Sequence, residues 1–140
     1  NNLIHIPSNS FDTVICFEVL EHIKDPEFLI KNFHRIARKN IIISVPDCQL
    51  HHHFNKTGLA YSHWTDPTHV NFFDIFSLTG VLASSGFSVK SVQRINHANV
   101  GLLVARMFNA NRFFERIIVK IFQLIAKNRY PTTILVVAEK

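Results

Sequence analysis

Glycine is scarce in this chain of 140 residues: only four are present, and none forms a GxG pair. That excludes a Gly-rich phosphate or dinucleotide loop within these residues, because such loops need glycine for the tight turn and for close backbone approach. Cysteine is scarcer still. Cys16 and Cys48 stand without a CxxC pair, which argues against a disulfide framework or a thiolate metal site and favours a reducing, cytoplasmic setting. No uninterrupted apolar run is long enough to span a bilayer. The chain opens on Asn1 with no signal-peptide pattern, and we read this as a truncated start. Charged residues make up 18% against 47% hydrophobic, a soluble globular balance rather than a disordered one. A chain of this length is expected to fold as one domain with a sizeable core.

What is present falls into strand and helix signals. Leu3 to Ser10 reads as a loop. Phe11-Asp12-Thr13-Val14-Ile15-Cys16-Phe17 is a short run rich in strand formers, expected to be buried on both faces. Asp25-Pro26-Glu27 is a helix start, with an Asp cap, Pro at the first position and an acid in the first turn. Leu29, Phe33 and Ile36 follow at helical spacing, and Ile41 to Val45 reads as a second buried strand stopped by Pro46. Strand, helix and strand with short links make a βαβ unit of a parallel sheet. Asp47 to Asn71 is a long polar and aromatic loop, of the kind that is usually functional. Asp74 begins a helix that runs through Ala83 and closes at Gly86. Phe87 to Val92 alternates as a strand, a helical stretch runs from Gly101 to about Asn128, and Thr132 to Val137 is the last strand.

The pentapeptide Glu18-Val19-Leu20-Glu21-His22 stands directly after the first strand, where ligands bind in open α/β sheets. On one helical turn, Glu18, Glu21 and His22 would face the same way. Two carboxylates and an imidazole suit a divalent ion such as Mg, Mn or Zn. Three roles stay open for the turn: holding the backbone, ligating a metal, and general-base action by His22. Histidines also crowd the long loop, as His51-His52-His53, His63 and His69. Trp64, between His63 and Asp66, suits stacking on a sugar or aromatic acceptor, or else closes the core, and Tyr61 shares that ambiguity.

The formal charge of +5 is weighted toward the end of the chain. Phe113, Phe114, Ile117, Ile118, Ile121, Phe122 and Ile125 make an apolar stripe opposite Arg112, Arg116, Lys120, Gln123 and Lys127. Such a basic amphipathic helix packs on the sheet or on a partner subunit, or lies on a membrane surface. It lacks the exposed, interleaved aromatics expected for single-stranded nucleic acid, so an RNA partner ranks last.

The run from Ser10 to Val14, then Glu18 to Ile23, then Asp25-Pro26, resembles the centre of class I S-adenosylmethionine-dependent methyltransferases. Ile43-Ser44-Val45-Pro46-Asp47, Asp66-Pro67, His69, Phe72-Phe73 and Gly86-Phe87 recur in that family in this order. The resemblance implies an α/β fold, the C-terminal half of a Rossmann-like sheet carrying its strands 4, 5, 6 and 7. It covers residues 1–140 as a partial domain lacking the Gly-rich cofactor loop, with 101–128 as a helical insertion. It also implies S-adenosylmethionine as cofactor. Asn2 and Leu3 would lie near the adenine, and Phe17, Glu18 and Val19 along the methionine and sulfonium side.

The Glu-x-x-Glu-His pattern is similar to that of ubiquinone-pathway O-methyltransferases and of small-RNA 2′-O-methyltransferases. That likeness makes Glu18, Glu21, His22 and His69 the candidate metal set, and His22 and His69 the candidate catalytic bases. His63, Trp64 and Asp66 are the candidate acceptor residues. The implied function is methylation of a hydroxyl on a small-molecule or glycan-type acceptor, with the isolated chain inactive. Two rivals remain: a non-catalytic half-domain that binds a partner, and a metal-dependent RNA 2′-O-methyltransferase. The expected setting is cytoplasmic, with peripheral membrane contact or dimerisation through residues 112–127.

Overall fold

The computed structural model describes residues 2–49, 66–125 and 130–140. Its elements begin with a 3₁₀ turn over Asn2–His5, where the sequence suggests only loop. Strand β1 is Phe11–Phe17, helix α1 is Pro26–Ile36 and strand β2 is Ala37–Pro46. Helix α2 is Ile75–Ser84 and strand β3 is Ser88–His97. Helices α3, Val100–Met107, and α4, Arg112–Ile125, precede strand β4, Pro131–Glu139.

Local chemistry accounts for the boundaries. The Asp25 carboxylate accepts from the Phe28 amide at 2.9 Å, and Pro26 supplies a preset φ where no amide is needed. Asp74 and Ser77 form a reciprocal capping box on α2. Gly86 takes φ 96° after α2, a region that side-chain-bearing residues avoid. The expected single helix from Gly101 onward is in fact two. Asn109 sits at φ 48°, and the Asn111 side chain accepts from the amides of Phe113 and Phe114, which stops one helix and starts the next.

The chain divides into two compact units, residues 1–95 with 133–140, and residues 96–132. In the larger, the sheet runs in the order β1-β2-β4-β3. β1 and β2 are parallel, with Val14 beside Ile41 and Cys16 beside Ile43. β2 and β4 are antiparallel, with Ile43 beside Val136 and Val45 beside Ile134. One sheet face carries Cys16, Ile41, Ile43, Val45, Ile134 and Val136, all in one buried cluster with Ile30, Phe33 and Ile36 of α1 and Leu78 and Leu82 of α2. This is a Rossmann-like α/β arrangement, and β2 is the buried strand that its sequence suggests.

β1 departs from expectation. Only Val14 and Cys16 pack inward; Phe11, Ile15 and Phe17 are each about half exposed, at 49%, 59% and 51%. β1 is the edge of the sheet, and among the described residues no helix covers its odd-numbered face. An apolar run therefore signals two faces with a preference for burial, not two faces that find it within this chain.

In the smaller unit, α3 and α4 approach closely at Gly101. A Cβ there would lie 2.8 Å from Val119 Cα and 2.9 Å from Phe122 Cβ, so only glycine permits the contact.

Candidate functional site

The turn after β1 is tighter than one turn of α-helix. Glu18 adopts φ 51°, the left-handed region, and a three-residue 3₁₀ turn covers only Leu20–His22. Ser44 of β2 holds Glu18 there: the Glu18 amide donates to the Ser44 carbonyl at 3.0 Å, and the Ser44 hydroxyl donates to Glu18 Oε1 at 2.7 Å. The expected alignment of Glu18 with Glu21 and His22 on one helical face is thus corrected. The chain reverses at Glu18 and turns its carboxylate to β2, while Leu20 and Glu21 enter the interior at 0% and 2% exposure.

Glu21, His22 and His69 do converge. One carboxylate oxygen and one nitrogen from each ring all lie within 4.8 Å of one another. His22 Nε2 is 3.8 Å from Glu21 Oε1, and the two imidazoles meet edge to face with centroids 4.6 Å apart. Glu21 Oε2 is buried and has no hydrogen-bond partner among the described residues. Burial pushes the Glu21 carboxyl above its ordinary pKa, and the nearby Glu18 charge acts in the same direction.

Residues 66–71 close the site, and the backbone of Glu21 anchors them. The amides of Val70 and Asn71 both donate to the Glu21 carbonyl, at 2.8 and 3.0 Å. The Asn71 side-chain amide donates to the carbonyls of Leu20 and Ile23. Asp66 makes a local turn: its Oδ1 accepts from the Thr68 amide at 2.9 Å and from the Thr68 hydroxyl at 2.6 Å. Those two bonds hold the Asp66 carboxyl below its ordinary pKa.

The Thr68 hydroxyl hydrogen is committed to Asp66, so its oxygen accepts from His22 Nδ1 at 3.0 Å. The Thr68 carbonyl, 3.2 Å away, can only accept as well. This network assigns the proton of neutral His22 to Nδ1 and leaves the Nε2 lone pair facing Glu21. His69 Nε2 lies 3.8 Å from Asp66 Oδ2, and its side chain is 6% exposed.

A small pocket beside the cluster is lined by Glu21, Pro46, Asp47, Cys48, His69, Asn71 and Phe72. Asp47 is buried and paired with Arg94 of β3, whose Nε lies 2.8 Å from Asp47 Oδ2.

Of the other sequence candidates, Leu3 is half-buried, and Phe17 and Val19 are exposed at the end of β1. The side chain of Asn2, and His63, Trp64, Tyr61 and His51 to His53, lie outside the described residues. Thr68, Asn71 and Ser44 escape a reading of the sequence. Asp66-Pro67-Thr68 carries a turn signal that would have found Thr68; nothing in the sequence singles out Ser44 or Asn71.

Residues 3–92 match the methyltransferase domain family, and the chain belongs to that family. No match is found among curated protein sequences. Solved structures resemble the fold. A SAM-dependent methyltransferase from Archaeoglobus fulgidus aligns with TM-score 0.63 at 17% identity, covering 99% of this chain and 63% of that one. A second, from Mesorhizobium loti, gives TM-score 0.59 at 15% identity over 97% of this chain and 65% of its own. Magnesium protoporphyrin IX methyltransferase from Synechocystis PCC 6803, solved with bound SAH, gives 0.56 at 16% identity over 100% and 49%. The chain thus spans between about half and two thirds of these proteins' length.

Proposed function

We propose that this chain is the acceptor-side portion of an S-adenosylmethionine-dependent methyltransferase that methylates a hydroxyl of a small-molecule or glycan-type acceptor. The observation that carries the reading is the meeting of Glu21, His22 and His69 just beyond the end of β1, in a chain of the methyltransferase family. Bound S-adenosylmethionine supplies a methyl group on a positively charged sulfur. The residues present fit one wall of its pocket. Phe17 and Val19 offer exposed apolar surface for its methionine side, half-buried Leu3 is assigned to the adenine edge, and Glu18, fixed by Ser44, offers a carboxylate near the sulfonium.

The chemistry left to this chain is positioning and proton removal. His22, with its proton fixed on Nδ1 by Thr68, takes the acceptor's hydroxyl proton at Nε2. His63, Trp64 and Asp66 are assigned to holding the acceptor. The donor set of Glu21, His22 and His69 also fits a divalent ion of the Mn or Zn kind, since it joins two imidazoles to a carboxylate with one buried oxygen that has no partner among the described residues. These three residues would hold it, and an ion there lowers the pKa of a bound hydroxyl.

Calorimetry of SAH titrated into the natural protein that carries this sequence tests the first claim. Binding is expected, and its lack would overturn the methyltransferase reading. Methylation of hydroxyl acceptors should then fall by about 100-fold or more in His22→Ala, the low end of what a general base contributes. Activity that persists in chelator assigns proton removal to His22 alone. Loss restored by Mn or Zn assigns it to the ion.

A further inference from the structure

The smaller unit, residues 96–132, has a surface that the proposed chemistry does not use. Helix α4 presents three sectors. Ile118, Val119 and Phe122 turn toward Gly101 of α3. Phe113, Phe114, Ile117, Ile121, Leu124 and Ile125 turn away from it and are 40% to 85% exposed. Between these sectors, on the remaining side, lie Arg112, Arg116, Lys120 and Gln123, all exposed. No residue of α4 is buried. The apolar stripe suggested by the sequence is therefore divided: part of it packs against α3, and the larger part meets solvent. Leu103 and Met107 of α3, one turn apart, and Phe108 after them add further exposed apolar surface.

We propose that this helical hairpin is a membrane foot, and that its occupant is the surface of an anionic lipid bilayer. Charge decides between occupants. Glu115 is the single carboxylate among residues 96–132, against Arg106, Arg112, Arg116, Lys120, Lys127 and Arg129. A second copy of the chain would bring the same cations against these. An anionic headgroup layer neutralises them while acyl chains cover the apolar sector.

Length supports the same occupant. Fourteen residues make a helix about 21 Å long, short of the about 30 Å hydrocarbon core. No helix among the described residues is long and apolar enough to cross a membrane. The apolar sector is continuous along α4 and carries aromatic rings at its start, the pattern of a helix lying in the interface. A foot of this kind would bring the protein to lipid-borne acceptors, but the surface stands independently of the methyltransferase reading.

Sedimentation of the full protein with vesicles tests the proposal. Binding to phosphatidylcholine vesicles containing phosphatidylserine is expected, much weaker binding to phosphatidylcholine alone, and a decline with added salt. Ile117→Glu with Ile121→Glu should lower binding to both vesicle types by about tenfold or more, since it places charge in the inserted sector. Arg112→Gln with Arg116→Gln and Lys120→Gln should lower binding to the anionic vesicles alone, by roughly 100-fold. All five positions are at least partly solvent-facing and away from Gly101, and unchanged helical circular dichroism in each variant checks the fold. Equal binding to both vesicle types, or none, overturns the proposal. A concentration-dependent dimer without vesicle binding, lost in the Ile117 and Ile121 variant, overturns it in favour of a second copy. Preference for single-stranded RNA over vesicles overturns it in favour of nucleic acid.

Discussion

Glu21 carries the tension of the site in one side chain. It is 2% exposed, one of its oxygens has no partner among the described residues, and burial raises its pKa. An acid whose folded-state pKa lies above its unfolded value binds more protons in the native state between those two values. Its stabilising contribution is complete below the ordinary carboxylate pKa and is lost as pH rises through the raised one. Glu21→Gln removes the charge and keeps the shape. In chelator, the variant is expected to be more stable than the parent at pH 8 by on the order of 1 kcal/mol, with the difference closing near pH 4. Thermal melts across pH check this, and a variant less stable at pH 8 would show that the ionised carboxylate is satisfied. The excess stability of the variant is also what a functional carboxylate predicts: the native residue is kept at a cost in folding.

At the scale of elements, the legible parts are those set by local chemistry. Asp25-Pro26 and Asp74 announce α1 and α2 because capping needs only neighbours in sequence. Gly86 announces the end of α2 for the same reason. Its φ of 96° and the approach of His34 Nε2, 3.0 Å from where a Cβ would stand, make Gly86→Ala costly. We expect a loss of about 1 to 3 kcal/mol, measured by chemical denaturation; a neutral result would mean that the αL turn relaxes without strain.

The turn at Glu18 to His22 is legible in composition and not in shape. Glu-x-x-Glu-His suggests one helical face, but the left-handed residue at Glu18 is fixed by Ser44, distant in sequence. His69 is named as a fourth candidate by the family resemblance, but its meeting with His22 depends on Asn71 and on the Glu21 carbonyl, which no periodicity reveals. The split of the C-terminal helical stretch was hidden because Asn109 and Asn111 are tolerable within a helix and act as breakers only when their backbone or side chain finds the capping geometry.

At the scale of the molecule, the described residues cover one face of the sheet and leave the other face of β1 exposed. Phe11, Ile15 and Phe17 lie together on the outer strand, beside Ile42 of β2. An edge strand with an apolar face invites pairing with another chain. The 140-residue chain alone is expected to self-associate at micromolar concentration, and Ile15→Lys should reduce that association without lowering the melting temperature by more than about 1 °C, as an exposed position allows. Light scattering and melts decide it; unchanged association would place the sticky surface elsewhere. The strand order has a separate consequence for synthesis. β4, from Pro131 onward, lies between β2 and β3, so the middle of the sheet is missing until that strand emerges from the ribosome. Until then Ile41, Ile43 and Val45 have no partner on that side, and the nascent chain holds an open slot in its own core. A translation stall or premature stop before Pro131 would leave that slot exposed, and chaperones would meet this chain as a sheet with a gap rather than as a domain lacking a tail.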